Sequence, residues 1–220
     1  MLKQKFKQTE SGKIPKDWGI LDLTDAGNLK TGSTPSTKVK DYWDGDIPWM
    51  TSGDVHQGLI IRTTGFISEK GMQNSNTILL PKKTIVIALN GQGKTRGTVG
   101  ILGISTTCNQ SIVGIIPNEH KIVPEYLYYN LQSRYSELRN LSGAEGRNGL
   151  NMKLLKTVKI STPPLIEQSH IASVLFCIDS AIQQTDEVIE QARKLKKGLM
   201  QELLTRGIGH KKFKETEFGE

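Results

Sequence analysis

Glycine-rich loops in this sequence carry amide, hydroxyl and cationic side chains that suit nucleic-acid binding. The loop 90–96, Asn-Gly-Gln-Gly-Lys-Thr-Arg, combines all three kinds within seven residues. Lysine and arginine bind the acceptors of guanine, whereas asparagine and glutamine match the donor and acceptor of adenine. Glycine lets a backbone approach a groove closely. Loops 30–40, 51–57 and 142–149 have similar chemistry, although each alone is also typical of a turn. The candidate DNA-binding residues are Lys38, Lys40, Thr51, Ser52, His56, Asn90, Gln92, Lys94, Thr95, Arg96, Arg147 and Asn148.

The triplet Gly93-Lys94-Thr95 resembles the end of a phosphate-binding loop but lacks its context. The motif requires a glycine five residues before Gly93, where this chain has Ala88. It also requires a following helix whose free N–H groups hold phosphate, whereas 98–104 has a strand pattern. The sequence also lacks an Asn-Pro-Pro-aromatic methyltransferase motif, a dinucleotide fingerprint and a convincing nuclease cluster. We therefore expect no catalytic residues, and we expect the loop aspartates to serve turns and caps, namely Asp41, Asp44, Asp46 and Asp54.

The positive charge is confined to the first part of the chain. The net charge is +7, yet residues 161–220 hold 8 Lys/Arg against 9 Asp/Glu. Residues 1–160 hold 21 against 13, a balance of +8. A basic globular part beside a neutral extension is typical of a polyanion-binding domain on a scaffold, although many basic proteins bind no nucleic acid.

The composition argues against a secreted, membrane-spanning or metal-binding protein. The N-terminal residues are basic without an apolar stretch behind them, so they do not predict a signal peptide. The longest apolar run, 85–89, is too short to cross a bilayer. Cys108 and Cys177 have no neighbouring cysteine, and four scattered histidines do not form a metal pattern. We therefore expect a cytoplasmic protein with no metal, no cofactor and no membrane contact.

The elements that must position the loops are mostly short strands. β-branched runs separated by turn residues predict a mostly antiparallel sheet. A helix is predicted from Pro124, because apolar residues continue to Leu138 at a spacing of three to four. The predicted strands are 20–23, 47–50, 59–67, 84–89, 98–104, 112–116 and one near 158–160.

Beyond Pro163-Pro164 the sequence predicts a long helix with a narrow apolar seam. Eight of ten positions spaced by four and three are apolar between Ile171 and Leu203. Such a seam is typical of a coiled coil, although a helix folded back on its own domain would also bury it. From Glu167 to Arg206 the helix would be ~60 Å long, too long for one domain of this size to cover. The candidate dimer-interface residues are Ile171, Leu175, Ile178, Ile182, Ile189, Leu199 and Leu203.

A heptapeptide near the start recurs near the end. Phe6-Lys-Gln-Thr-Glu-Ser-Gly12 and Phe213-Lys-Glu-Thr-Glu-Phe-Gly219 agree at five of seven positions. A repeat with this period indicates one unit of a larger two-repeat protein plus the opening of the next. The predicted organisation is a domain at 1–162, a dimerising spacer helix at 163–207 and a repeating tail at 208–220.

Several segments together resemble the specificity subunits of type I restriction-modification systems. Thr31-Gly-Ser-Thr-Pro35 and Ile47-Pro-Trp-Met50, followed by Gly53-Asp-Val55, are similar to the opening of their target-recognition domains. Leu80-Pro81, Asn109-Gln110 and above all Pro163-Pro-Leu-Ile-Glu-Gln168 before a long helix fit the same pattern. The resemblance covers essentially the whole chain.

The resemblance implies an α+β protein in which a target-recognition domain precedes a long coiled-coil helix. Family members usually carry two such domains and two antiparallel helices, and each domain reads half of a split DNA site. This chain has one half only, which fits either a truncation or a natural half-length subunit that pairs with itself. The implied role is non-catalytic. The implied partners are double-stranded DNA, a second copy of the chain, methyltransferase subunits and a restriction subunit.

Two other classes of protein remain open at this stage. One is a coiled-coil adaptor whose basic domain binds an acidic protein, which would show no binding to any DNA. The other is a small enzyme with an unrecognised site, which would show turnover in the isolated chain.

Overall fold

The computed structural model describes residues 6–9, 12–91, 93–142, 149–209 and 212. The helices are α1 (Leu23–Ala26), α2 (Glu69–Gln73), α3 (Pro124–Gln132), α4 (Tyr135–Asn140), α5 (Met152–Leu155) and α6 (Leu165–Arg206), with short 3-10 helices at Lys40–Tyr42 and Asp54–Gln57. The strands are β1 (Phe6–Thr9), β2 (Gly12–Pro15), β3 (Gly19–Asp22), β4 (Gly27–Thr31), β5 (Trp43–Met50), β6 (Leu59–Ile60), β7 (Gly65–Ile67), β8 (Ile85–Ala88), β9 (Val99–Leu102), β10 (Thr107–Cys108), β11 (Ile112–Pro117) and β12 (Lys159–Thr162). The chain forms two compact units, divided between Ala172 and Ser173.

A five-stranded sheet in the order β4-β11-β8-β9-β6 is the centre of the first unit. Every residue of β8 is buried, because the strand is covered on both faces. Ile85 and Ile87 join a large apolar cluster with α3, whereas Val86 and Ala88 join a second cluster with Met50 and Cys108 from another sheet. Alternate residues of a strand point to opposite faces, so a continuous apolar run fits this position. The mixed, antiparallel-rich α+β architecture confirms the predicted fold class.

The second cluster lies between this sheet and a three-stranded one. The smaller sheet has the order β10-β5-β7, in which β5 and β10 are parallel and β5 and β7 are antiparallel. Two further pairs are antiparallel. β1 pairs with β2, the next strand in the sequence, and β3 pairs with β12, which is distant in the sequence.

The segment 59–67 does not form the single strand predicted from its apolar pattern. Leu59–Ile60 pairs with β9 in the larger sheet, and Gly65–Ile67 pairs with β5 in the smaller one. The buried Asp54 carboxylate accepts hydrogen bonds from the backbone N–H and the hydroxyl of Thr64 at 3.2 and 3.1 Å. These bonds fix the intervening turn, so the chain leaves one sheet and joins the other.

The helix predicted from Pro124 to Leu138 is also wrong as one element, because it breaks at 133–134. Arg134 has φ −103° and ψ 24°, outside the helical region. Its guanidinium donates to the Lys159 carbonyl at 2.6 Å and to Glu137 at 2.8 Å. The hydrogen bond from Arg134 holds the pKa of Glu137 below its usual value. The helix therefore breaks at a residue that is neither proline nor glycine, and the Arg134 side chain there bonds a carbonyl of the distant strand β12.

The long helix α6 begins within the first unit and continues through the second. Only Gln168 and Ala172 are buried in its 42 residues. The exposed large apolar side chains of α6 beyond Ala172 are Val174, Phe176, Ile178, Ile182, Val188, Ile189, Leu195, Leu199, Met200, Leu203 and Leu204. The structure thus confirms the long helix and leaves its apolar seam uncovered within this chain.

By length and composition alone, α6 could also cross a membrane. One 18-residue window has a mean hydropathy of 1.3, and 11% of it is buried. This is weak evidence for a span, because the helix start is fixed in the globular unit by Gln168. The later residues Asp186, Glu187 and Glu190 would place charges in any longer apolar stretch.

Gln168 fixes the first turns of α6 to the globular unit. Its side chain is only 1% exposed. The Oε1 atom accepts from the Val123 N–H at 2.8 Å, and Nε2 donates to the carbonyls of Pro163 and Lys121 at 2.8 and 3.4 Å. One amide thereby satisfies three backbone groups at the start of the helix, which explains a glutamine at this point of the Pro-Pro-Leu-Ile-Glu-Gln segment.

Replacing Gln168 by methionine, which has a similar length, should destabilise the globular unit by roughly 2–4 kcal/mol, because the three backbone groups lose their partners. Urea unfolding at fixed protein concentration, followed by tryptophan fluorescence, measures the change. The matched control is Gln183→Met, because Gln183 is exposed on the same helix and, among the described residues, its side chain bonds Glu187 alone. The control should change the free energy of unfolding by less than about 0.5 kcal/mol. Equal stabilities for the two variants would contradict this role of Gln168.

Candidate nucleic-acid interface

Strand pairing brings three of the candidate loops, 30–40, 51–57 and 90–96, to one edge of the first unit. The C-terminal end of β4 pairs with the start of β11 (Thr31 with Val113), and the C-terminal end of β8 pairs there too (Ala88 with Ile112). The loops 31–36 and 90–97 must therefore leave the larger sheet at this edge, together with the turn 109–111 that precedes β11.

The loop 51–57 reaches the same edge through the smaller sheet. β5 and β10 run parallel and end together, with Met50 opposite Cys108. The Asn109 N–H then donates to the Met50 carbonyl at 3.1 Å, and the Ser33 N–H donates to the Cys108 carbonyl at 2.9 Å. Four segments that are far apart in sequence thus meet side by side.

Within the loop 51–57, a buried carboxylate holds the turn. Asp54 Oδ2 accepts from the Thr51 N–H at 2.8 Å and lies 3.2 Å from the Thr51 hydroxyl, which confirms the expected turn role of this aspartate. The Thr51 hydroxyl therefore has a protein partner. His56 remains exposed, and its Nε2 lies 3.0 Å from the Thr95 hydroxyl of the neighbouring loop. This contact joins the loops 51–57 and 90–97, which no pattern in the sequence connects.

The loop 90–97 is supported from below by α4, whose role the sequence pattern did not reveal. Arg139 donates to the carbonyl of Gly93 at 2.8 Å and to that of Arg96 at 3.3 Å. The Tyr135 hydroxyl donates to the Lys94 carbonyl at 2.8 Å. With these backbone carbonyls bound by the protein, the Lys94 side chain is exposed on the outside.

Close packing explains a glycine at the end of this loop. Gly97 has φ +84°, a conformation that side-chain-bearing residues rarely adopt. A Cβ there would lie 3.2 Å from the Arg139 backbone nitrogen. Arg96, beside it, is half-buried with its Nε inside the protein. Arg96 would therefore present only part of its guanidinium to a ligand, whereas Lys94 is an exposed residue.

The loop 31–40 reaches the same edge by packing against Cys108 at the end of β10. A Cβ at Gly32 would lie 1.8 Å from the Cys108 carbonyl oxygen, so only glycine permits this approach. Burial raises the pKa of the Cys108 thiol to about 12, and the thiol therefore stays protonated and unreactive near neutral pH. Lys38 and Lys40 follow in the exposed part of the loop.

Of the remaining candidate DNA-binding residues, the structure describes Ser52 and Asn90. Ser52 is half-buried, and Asn90 is exposed two residues beyond the end of β8. Gln92, Arg147 and Asn148 lie outside the described residues, as does the second copy of the heptapeptide at 213–219. Across the described ranges, no group of three or more histidine, cysteine, aspartate or glutamate residues converges as a metal site would require.

The first unit thus presents loops rich in amide, hydroxyl and cationic side chains at one edge, and a long helix follows it. Residues 15–193 match the model of the type I restriction modification DNA specificity domain. The chain therefore belongs to this family, which confirms the resemblance drawn from its motifs.

The relatives with curated names are specificity subunits of type I restriction enzymes. The chain is 38% identical to the MjaIX specificity subunit of Methanocaldococcus jannaschii, over 84% of this chain and 44% of that protein. It is 26% identical to the EcoR124I/EcoR124II specificity subunit of Escherichia coli, over 79% of this chain and 44% of that protein. The chain thus spans about half the length of the curated relatives it matches.

Solved structures share the fold at low sequence identity. The S subunit from M. genitalium matches with a TM-score of 0.61 at 18% identity, covering 86% of this chain and 46% of that one. The HsdS subunit from Thermoanaerobacter tengcongensis matches with a TM-score of 0.60 at 17% identity, covering 90% and 47%. At such identities the match establishes the fold alone.

Proposed function

We propose that this chain is a non-catalytic DNA-recognition unit of a type I restriction-modification complex. The observation that carries the proposal is the convergence of four loops, rich in amides, hydroxyls and cations, at one edge of a domain whose charge balance is positive. Cations on such an edge neutralise phosphates and position the duplex, while amides and hydroxyls read base edges. The ligand is double-stranded DNA in the cytoplasm, and the site needs no cofactor.

We also propose that two copies of the chain pair through antiparallel α6 helices. The support is the row of exposed apolar side chains at seam spacing, which a single helix cannot bury. The helix pair would act as a spacer between two identical recognition domains. Methyltransferase and restriction subunits would bind this dimer and supply the chemistry. The predicted division into a recognition domain (1–162), a spacer helix (163–207) and a tail (208–220) belongs to this proposal.

Salt dependence tests the DNA proposal directly. Binding through phosphates releases condensed counterions, so the logarithm of the affinity should fall steeply and linearly with the logarithm of the salt concentration. Replacing the exposed Lys94 by alanine should weaken binding to all sequences alike and reduce the magnitude of the salt slope by about 1. Fluorescence anisotropy with labelled duplexes measures both quantities.

The matched control is Lys156→Ala, because Lys156 is an exposed lysine at the opposite end of the sheet. It lines a cleft with Asn28 and Pro117, which belong to the far ends of β4 and β11. The Lys156→Ala substitution removes one positive charge, as Lys94→Ala does, but it should leave the salt slope of DNA binding unchanged. Equal effects of the two variants would show that the loop 90–96 is not at the DNA. An absence of binding to every duplex would favour an adaptor that binds an acidic protein.

A further inference from the structure

A cleft lined entirely by uncharged hydrogen-bonding side chains opens between the loop 33–36 and the segment 73–76. Its volume is about 510 Å³, within the range of about 300–1,000 Å³ that is usual for ligand sites. The residues that line this amide cleft are Ser33, Thr34, Ser36, Gln73, Asn74, Ser75 and Asn76. None of them was among the candidates chosen from the sequence.

The first wall of the amide cleft is fixed by its backbone. The Ser33 carbonyl accepts from Trp49 Nε1 at 3.1 Å and from the Thr77 hydroxyl at 2.9 Å. The Ser36 carbonyl accepts from Trp43 Nε1 at 3.2 Å. The two indoles pack edge to face with ring centroids 5.1 Å apart. The loop therefore keeps its shape before any ligand arrives.

The second wall follows α2 and is fixed in the same way. Asn74 Nδ2 donates to the Lys70 carbonyl at 2.9 Å, and the Ser75 hydroxyl donates to the Gly71 carbonyl at 2.8 Å. By contrast, the side chains of Gln73 and Asn76 have no hydrogen-bond partner among the described residues, and neither do the Ser33 and Ser36 hydroxyls. The rigid walls thus present two amides and two hydroxyls that remain available to a ligand.

The chemistry of these groups favours a base edge over a phosphate. Cations supply most of the affinity for phosphate, and the amide cleft contains none. An amide offers a donor and an acceptor side by side, the same pair that adenine presents at N7 and N6 in the major groove. Lys38 and Lys40 follow Ser36 within four residues, are exposed and make no ion pair within the described part of the chain. Lys38 and Lys40 could therefore bind the phosphates of a DNA strand, while the neutral amide cleft beside them contacts a base of the same strand.

We propose that the amide cleft reads an A·T base pair and that Gln73 and Asn76 are specificity-determining residues. This inference rests on the proposed function, because it requires that the loop-bearing edge binds DNA. It adds a second reading surface to the loops 51–57 and 90–96. Thr34, which lines the cleft, donates its hydroxyl to Gln110 Oε1 at 2.7 Å and so connects the cleft to the turn before β11.

The test compares base preference in the full chain with Gln73→Ala, Asn76→Ala and Asn76→Ser. A duplex selected by the wild-type chain is substituted at each position, and affinities are measured for every variant. At one or two A·T positions, the alanine variants should lose about 5- to 150-fold of discrimination, the range expected for a bidentate pair. Preference elsewhere, non-specific affinity and the salt slope should stay unchanged. Asn76→Ser, which keeps a hydrogen-bonding group, should retain part of the discrimination.

Asn28→Ala is the matched control, because Asn28 is exposed at the opposite end of β4. It should leave every preference intact, and thermal unfolding should confirm that all variants fold. Unchanged preferences in the Gln73 and Asn76 variants, or an equal loss for all sequences, would overturn the inference while leaving the proposed function standing. A wild-type chain that prefers no sequence would overturn the proposed function, and the inference with it.

Discussion

A chain carrying Ile178→Asp and Ile182→Asp should sediment as a monomer, whereas the unmodified chain should sediment as a dimer. The two isoleucines are 51% and 55% exposed in the single chain and lie in the middle of the seam. In the proposed dimer each would be buried against the partner helix, and an unpaired carboxylate there costs on the order of several kcal/mol. Four such charges per dimer exceed what a seam of this length can offset. Analytical ultracentrifugation over a concentration series measures the result.

The control adds the same charges away from the seam. Gln184 and Gln191 each lie two residues beyond a seam isoleucine, which places them about 200° further around the helix. Gln184→Asp with Gln191→Asp should therefore leave the dimer intact. A dimer that survives the isoleucine substitutions would place the interface elsewhere.

Cys177 offers a direct test of helix direction. It is exposed on α6, whereas Cys108 is buried and its raised pKa protects it from thiol reagents. A spin label should therefore attach at Cys177 alone. If the helices are antiparallel about the middle of the seam, near residue 187, the two labelled positions lie about 30 Å apart. Parallel helices would bring them to about 10 Å, so the distance measured by electron spin resonance separates the two arrangements.

Selection from random-sequence DNA, with the methyltransferase partner present, should yield an interrupted palindrome. A two-fold dimer presents two identical domains, and these must read the same bases on opposite strands. The helix pair would hold the domains apart, so the central base pairs should be free to vary. For both domains to bind one face of the duplex, the half-site centres should lie about 10 base pairs apart.

The symmetry of the selected site separates the proposal from its alternatives. Two unrelated half-sites would show that a different domain completes the natural protein. One continuous run of specified bases would show that a single domain binds alone. The isoleucine-to-aspartate chain gives an internal control, since it should keep the half-site and lose the fixed spacing.

The sequence alone was sufficient for features that depend on local periodicity. The 3.5-residue repeat of apolar side chains predicts α6, and the structure forms it from Leu165 to Arg206. The run 84–89, which is rich in β-branched residues, predicts a strand, and β8 occupies the centre of the larger sheet. The composition of the loops indicated which segments could bind DNA. These signals lie within a few residues of one another, so a local pattern contains them.

Tertiary structure decided which residues meet. His56 contacts Thr95 across 39 positions, and Arg139 supports Gly93 across 46. The run 59–67 divides between two sheets, and the predicted helix from Pro124 breaks where Arg134 bonds a distant strand. The amide cleft joins residues 33–36 to residues 73–76, and Gly32 lets the first of these segments leave β10 at close range. Strand pairing and hydrogen bonds between distant segments are chosen by the packing of the whole domain, and no local spacing encodes them. For this reason the sequence determined the chemistry of the loops and the presence of the long helix, while the edge on which that chemistry converges was decided only by the fold.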